Sequence, residues 1–520
     1  MSITSFYFLC FFAVVLLCYY VVPKKIQWCE IVAASVAYYL LSGNGFLLCY
    51  PVASSLVCFT GGRLLGRLTE AENGQTVDAG KAKDIQKKWV LAGTLCGTIG
   101  ILAVLKYVNF LIYTYNGIAS LWQGQPMEAT DFLIPLGISF YTMSMLGYVI
   151  DLYYGIGRQA GNYGRFLVYG LYFPTMISGP IMKYAQMSEQ MDQPHFFNYK
   201  QVTFGMQRMV WGFFKKLVIS ERMAMVTNTI YGAENLYGGG ELWLAAVCFV
   251  LQLYTDFSGC MDIVLGMSQT LGIELPENFR TPFFSTSIAE FWRRWHITLG
   301  IWMKDYVFYP LLRSPAFAKL GKGNKARFGK KAGKQMTTFT AMFILWFTVG
   351  LWHGGEWKYV LGSGLIHWCY IVVGEVTEPF FTKLWKSLHV NPQNKILHFF
   401  RQVRTFLLVT IAFVFFRAED VAAGARALLK MFTQCNPMVW FSGTLFTFGL
   451  DWVEFTIAMV SLMILWTVSI LQQKGSLRER IAGKGLPVRW LIWYALLFYT
   501  ILLGCYGPEY SASEFIYQGF

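Results

Sequence analysis

Thr337-Thr338-Phe339-Thr340-Ala341-Met342-Phe343-Ile344-Leu345-Trp346-Phe347-Thr348-Val349-Gly350-Leu351-Trp352-His353 decides the fold class of this chain. No charge interrupts the run until the histidine that ends it. At about 1.5 Å of helical rise per residue, such a segment covers most of a hydrocarbon core about 30 Å thick. The same pattern recurs along the sequence. Apolar runs cover 3–22, 27–42, 45–60, 89–116, 132–153, 207–230, 241–268, 337–355, 357–378, 400–417, 451–472 and 488–506. The chain has 520 residues, 55% of them apolar, 18% aromatic and only 14% charged, whereas soluble domains carry about a quarter charged residues.

The expected fold class is therefore an all-α polytopic membrane protein. About twelve spans form one membrane-embedded domain over 1–520, with re-entrant or interfacial helices besides. Basic clusters set the orientation. Lys24-Lys25, Arg63 to Lys88, Arg313 to Lys334, Lys383 to Arg404 and Lys474 to Arg489 all face the cytoplasm, with both termini outside, if 163–182 and 281–311 do not fully cross. The first of these two carries Pro174, Gly179 and Pro180, which break a helix. Broken backbone at membrane depth must be buried in protein or line a cavity. The second mixes aromatic residues with Glu290, Arg293, Arg294, His296, Lys304 and Asp305, and is expected at or within the cytoplasmic half of the bilayer. Met1 to Val22 lacks a basic start and a convincing cleavage site, so it reads as a retained span rather than a signal peptide.

A net charge of +14 fits basic cytoplasmic loops and anionic membrane lipids. The basic loop 313–334 lacks the aromatic interleaving of a nucleic-acid surface, so no nucleic acid is expected as a partner. The eleven cysteines form no Cys-x-x-Cys pair and read as small buried hydrophobes.

Ionisable side chains at membrane depth are costly, and by default they mark a functional site. His353 lies between Trp352 and Gly354-Gly355, where small residues let substrate or backbone approach. A neutral imidazole there suits a general base for a hydroxyl attacking an activated acyl group; a hydrogen-bonded structural histidine is the plainer alternative. His296 follows Arg293 and Arg294 and precedes Lys304, a basic patch suited to phosphate groups of a donor. On a continuous helix, Arg293 shares a face with His296. Asp151, Asp256 and Asp262 could orient a histidine, bind a hydroxyl-rich substrate, pair with Arg293 or Arg294, or simply hold the fold. No His-Glu-x-x-His or Gly-x-Ser-x-Gly motif is present, and no metal site is expected. His195, His367, His389 and His398 show no ligand spacing. His367 could approach His353 across the turn Gly354 to Lys358, with a packed or hydrogen-bonded role expected.

Together the motifs resemble the membrane-bound O-acyltransferases, and within them the bacterial alginate O-acetylase branch. The matching residues are Phe291 to Leu299 with Trp302 and Lys304-Asp305-Tyr306, and Gly350 to Gly355 with Trp357. Leu133 to Tyr141, Ser178-Gly179-Pro180, Gly212 to Lys216, Tyr254 to Gly259 and Phe415 to Ala418 match as well. The resemblance implies a plasma-membrane transferase that moves an acyl group, commonly acetyl, from a cytoplasmic donor such as acetyl-coenzyme A or an acyl carrier protein. The acceptor is an extracytoplasmic polysaccharide, usually reached through an exported SGNH-type acyltransferase partner. No bound cofactor is implied. His353 falls on the family's catalytic histidine and His296 on its second. Arg293, Arg294, Asp256, Trp352 and Lys304 are the expected substrate or donor contacts. Two features depart from the branch, the long basic loop after Tyr309-Pro310 and the ending Phe515 to Phe520. D-alanyl transfer to teichoic acids is the nearest alternative chemistry. A transporter of lipid-linked glycan, using the three aspartates, is the alternative of a different class, though such folds often show internal repeats and none is visible here.

Overall fold

A computed structural model describes residues 1–43, 45–70, 77–391 and 393–506. The centre of the mixed-charge loop, 71–76, and the ending Phe515 to Phe520 lie outside the described residues. Among the described residues there is no strand, only one isolated antiparallel bridge, Phe279 to Trp295. The chain is an all-α polytopic membrane protein. Eight helices are long and apolar enough to cross a bilayer: Gly45–Glu70, Ala82–Trp122, Gly239–Thr270, Pro315–Gly354, Trp357–Ser387, Lys395–Arg417, Trp452–Gln472 and Leu486–Leu503. Four of the twelve expected spans differ from these. Phe6–Val21, Gln27–Leu41 and Ile138–Tyr153 are helices of 16, 15 and 16 residues. The run 207–230 is helical but carries Lys215, Lys216, Glu221 and Arg222, all buried.

Contacts divide the described chain into two compact units. The first comprises Met1–Met209 and Cys260–Pro276. Its broken segment sits where the prolines require. Helix Tyr163–Leu171 ends, a 3-10 turn Phe173–Thr175 follows, and Tyr172, Phe173, Met176, Ile177 and Ser178 are buried. The freed backbone is held by side chains: Ser35 Oγ accepts from the Phe173 amide at 3.1 Å, and the Tyr172 hydroxyl donates to Ser268 Oγ at 3.1 Å. Gly137 opens helix Ile138–Tyr153 at φ 70°, and a Cβ there would stand 1.9 Å from the Met176 carbonyl oxygen. Only glycine fits both demands.

The second unit, Val210–Gly259 and the chain from Glu277 onward, holds both motif histidines. Segment 281–311 is a series of short helices, Ile288–Arg294, Ile297–Met303 and a π turn Lys304–Phe308, as its mixed polarity suggests. The basic stretch 313–334, expected as a loop, is instead helical. Ser314 caps a helix from Pro315, the backbone breaks at Gly329 (φ 80°, ψ 168°), and the helix resumes toward Gly354. The two arms fold back on each other. Asn324 Nδ2 donates to Thr337 Oγ1 at 3.1 Å, and a Cβ on Gly333 would meet Asn324 backbone at 2.5 Å. Ala, Lys and Arg favour helix, and one glycine suffices for the reversal.

Where the helix ending at Gly354 crosses the π turn Val360–Leu365, the backbones nearly touch. A Cβ on Gly350 would lie 2.6 Å from Val360 Cα, and one on Gly364 would lie 2.5 Å from the Trp346 carbonyl oxygen. Gly364→Ala is therefore expected to force the helices apart, at about 1–3 kcal/mol. Gly374→Ala, at a helical position with nothing within 4 Å, should be neutral or slightly stabilising. Thermal melting in detergent checks both; equal midpoints would mean that the crossing tolerates separation.

Candidate active site

His353 occupies the last turn of the helix ending at Gly354, and Gly355 closes that helix at φ 66°, its amide donating to the Leu351 carbonyl. The ring is 1% exposed. Its Nδ1 lies 2.8 Å from the Val349 carbonyl oxygen and 3.1 Å from Ser363 Oγ. A carbonyl oxygen can only accept, so Nδ1 carries the proton and the lone pair of the neutral ring falls on Nε2. Ser363 Oγ in turn donates to the Tyr359 carbonyl at 2.8 Å, leaving its own lone pairs to face Nδ1. The histidine is thus fixed in one tautomer by backbone and by a side chain on the partner helix.

His296 is held differently. Helix Ile288–Arg294 stops, Trp295 is extended, and His296 adopts φ 47°, ψ 51° before the next helix begins. A non-glycine residue in this left-handed region costs on the order of 1–3 kcal/mol and clusters at functional sites. The segment 278–280 imposes it. The Arg280 amide donates to the Arg294 carbonyl at 2.9 Å, and the Ile297 amide to the Asn278 carbonyl at 3.0 Å. Asn278 Oδ1 then accepts from the Thr298 amide at 3.0 Å and hydroxyl at 2.9 Å, with His296 Nδ1 at 3.3 Å. Burial foremost pushes the His296 pKa well below the ordinary imidazole value, because the charged ring would lose its hydration there. The ring is neutral at physiological pH.

Aromatic rings join the two sites. The Trp352 ring centre lies 5.1 Å from His353 and 5.6 Å from His296. Phe257 packs on His296 at 4.8 Å and Phe416 on His353 at 5.8 Å. Two imidazoles flanking one indole in a water-poor wall can bind and deprotonate a hydroxyl, with electrostatic effects strengthened by the low local dielectric.

The expected polar contacts divide. Trp352 joins the histidines. Arg293 is exposed while His296 is buried, and because the helix ends at Arg294 the two do not share a helix face. Arg294 is half-buried and ion-paired with Glu290 at 2.6 Å. Lys304 is exposed at the start of its π turn. Asp256 is 1% exposed and pairs with Lys216 at 2.6 Å, and Lys216 also meets Glu221 at 2.8 Å; pairing with Arg293 or Arg294 is not what the fold uses. Asp262 pairs with Arg208 at 2.8 Å. His367 is fully buried among aromatic rings and, among the described residues, neither ring nitrogen has a hydrogen-bond partner, so of the two roles expected of it the structure shows the packed one. Sequence reasoning missed Asn278, Ser363 and Glu290. Only Ser287-x-x-Glu290 carried a legible signal, that of a helix cap. Ser287 Oγ does accept from the Glu290 amide at 3.2 Å.

This is a multi-pass, all-α membrane protein built around two buried histidines on one aromatic wall. The model of the membrane-bound O-acyltransferase family matches residues 98–411, and the chain belongs to that family. It is 31% identical over 360 residues to a probable alginate O-acetylase of Pseudomonas aeruginosa, covering 68% of this chain and 62% of that protein. A peptidoglycan O-acetyltransferase of Helicobacter pylori is 27% identical over 66% of this chain and 65% of its own length. A teichoic acid D-alanyltransferase of Bacillus subtilis is 28% identical over 57% of this chain and 72% of its own. The chain spans less than two thirds of the length of the first two.

Asn278→Ala would strand the Thr298 donors in a buried site, at about 1–3 kcal/mol, and release His296 from its left-handed conformation. A lowered melting midpoint together with reduced activity is expected, and an unchanged midpoint would remove Asn278 from this role. Glu290 gives a pH signature. Burial works to raise its pKa, but hydrogen bonds from Thr286 and the Arg294 charge outweigh it and hold the carboxyl below its ordinary value. Its stabilising contribution is then complete above the unfolded pKa of about 4.3 and is lost as pH falls through the lower folded value. Melting midpoints measured from pH 6 down to about pH 3 should fall less steeply for Glu290→Gln than for the parent chain.

Proposed function

We propose that this protein is an O-acyltransferase of the plasma membrane that moves an acyl group, acetyl in the leading assignment, from a cytoplasmic thioester donor toward an extracytoplasmic polysaccharide or an acceptor partner. The observation that carries the reading is the fixed tautomer of His353, which presents Nε2 as a base at the end of a spanning helix. The printed functions of the relatives, O-acetylation and D-alanylation of cell-envelope polymers, support the same class of chemistry.

In this mechanism His353 Nε2 takes the proton of the acceptor hydroxyl while Nδ1–H stays on the Val349 carbonyl. The oxygen attacks the acyl carbonyl, the tetrahedral intermediate collapses, and the C–S bond breaks. The thiolate leaves and recovers the proton from His353, so donor thioester and alcohol become ester and thiol. His296, neutral and oriented by Asn278, lies on the same wall as the second polar group of the site. Arg293 and Lys304, exposed and cationic, suit the phosphates of acetyl-coenzyme A or of a carrier's phosphopantetheine arm. An exported SGNH-type acyltransferase is the partner that completes transfer to the glycan.

D-alanyl transfer to teichoic acid is the second reading, favoured by the similarity to D-alanyltransferases. The two are separated by the acid released on mild alkaline hydrolysis of the cell surface, acetate or D-alanine. His353→Ala at matched membrane levels should lower surface ester content at least about 100-fold, the scale of a lost general base. Unchanged esters would remove His353 from the chemistry, and absent glycan would favour transport instead.

A further inference from the structure

We propose that His367 and Trp292 form an oxygen-binding subsite beside His353, one that receives a carbonyl or hydroxyl oxygen of a substrate. His367 is 0% exposed, and among the described residues neither ring nitrogen has a hydrogen-bond partner. The indole Nε1 of Trp292 is buried in the same condition. The two rings are neighbours, their centres 5.0 Å apart and their planes at 85°. A neutral imidazole offers one N–H and one lone pair, and an indole offers an N–H. The pair thus presents two donors and one acceptor. Trp346, at 6.0 Å, and Phe413, at 5.7 Å, have no acceptor to answer with, and the Tyr370 ring at 6.1 Å makes no hydrogen bond to either nitrogen of His367. Buried polar groups almost always pair, and a site that leaves three such atoms unanswered is built for an oxygen that arrives from elsewhere.

The position ties this subsite to the reaction. His367 lies one helical turn beyond Ser363, whose Oγ stands 3.1 Å from His353 Nδ1. Trp292 directly precedes the exposed Arg293. An oxygen reached by Trp292 Nε1 and a His367 nitrogen, beside the two touching rings, would lie near the helix face that carries Ser363, so the inference deepens the acyl-transfer reading and rests on it. Its two possible sources are the thioester carbonyl of the donor and the hydroxyl of the acceptor.

The test uses membrane vesicles from cells that also produce the exported acyltransferase partner, containing the parent chain, His367→Phe, His367→Gln or Trp292→Phe. Acetyl-coenzyme A or an acetylated carrier protein is the donor, and base-stripped surface polysaccharide is the acceptor. A KM raised at least tenfold in His367→Phe and Trp292→Phe, with kcat changed less than threefold and partial recovery in His367→Gln, is the expected result. A rise confined to the donor KM assigns the carbonyl, and one confined to the acceptor KM assigns the hydroxyl. Unchanged KM values, or an equal loss of kcat in all three variants, would overturn the subsite. Should His367→Phe fail to fold, Trp292→Phe and His367→Gln decide the matter. A parent chain inactive with both donors would refute the acyl-transfer reading itself, and the subsite with it.

Discussion

The second unit depends on the approach of two helix backbones at Gly350 and Gly364. A side chain on either would strike the opposite main chain, Val360 Cα at 2.6 Å or the Trp346 carbonyl at 2.5 Å. In a bilayer the hydrophobic effect gives helices little reason to associate, so small residues that permit close packing supply much of the contact energy. That closeness also sets the chemistry. It brings Ser363 within 3.1 Å of His353, so the serine and the Val349 carbonyl jointly hold the proton on Nδ1. The glycines of this motif serve packing first, and the tautomer of the histidine follows from the packing.

The second histidine is fixed by a different economy. Its left-handed backbone is unfavourable locally, and short backbone pairing between 278–280 and 294–297 offsets the cost. Asn278 gathers three polar groups onto one oxygen, which is how a polar residue 1% exposed is tolerated at all. Both histidines are therefore over-determined by neighbours on other segments. His367 is the contrast, for it is equally buried yet has no such neighbour.

The sequence made the class of fold legible because apolar runs of spanning length admit few other interpretations, and the buried break at Tyr172 to Ser178 followed from two prolines and a glycine. His353, His296 and Trp352 were legible as a group through their motifs, and the structure brings them to one wall. What was hidden was hidden for physical reasons. Asn278 and Ser363 act through tertiary proximity and have no local pattern. Helical periodicity joined Arg293 to His296, but the backbone pairing of residues 278–280 ends the helix between them. The hairpin at Gly329 replaced an expected loop because charge was read as solvation, although Lys, Arg and Ala are strong helix formers. Length alone left Phe6–Val21, an apolar helix of 16 residues, short of the eight helices long and apolar enough to cross.

The buried charges bear on the choice between enzyme and transporter. Asp256 was a candidate pathway residue, yet Lys216 meets it at 2.6 Å and Glu221 at 2.8 Å, with all three side chains no more than 3% exposed. Removing one partner from such a cluster leaves an uncompensated buried charge, a loss of several kcal/mol, so each group is committed to the others. A transport pathway requires polar groups that exchange partners with a passing solute, and this cluster has little freedom to do so. The histidines differ, for they reach full burial as neutral rings and need no counter-charge. Proton transfer is thereby available within an apolar wall where net charge is not, and that asymmetry favours chemistry at His353 over passage at Asp256.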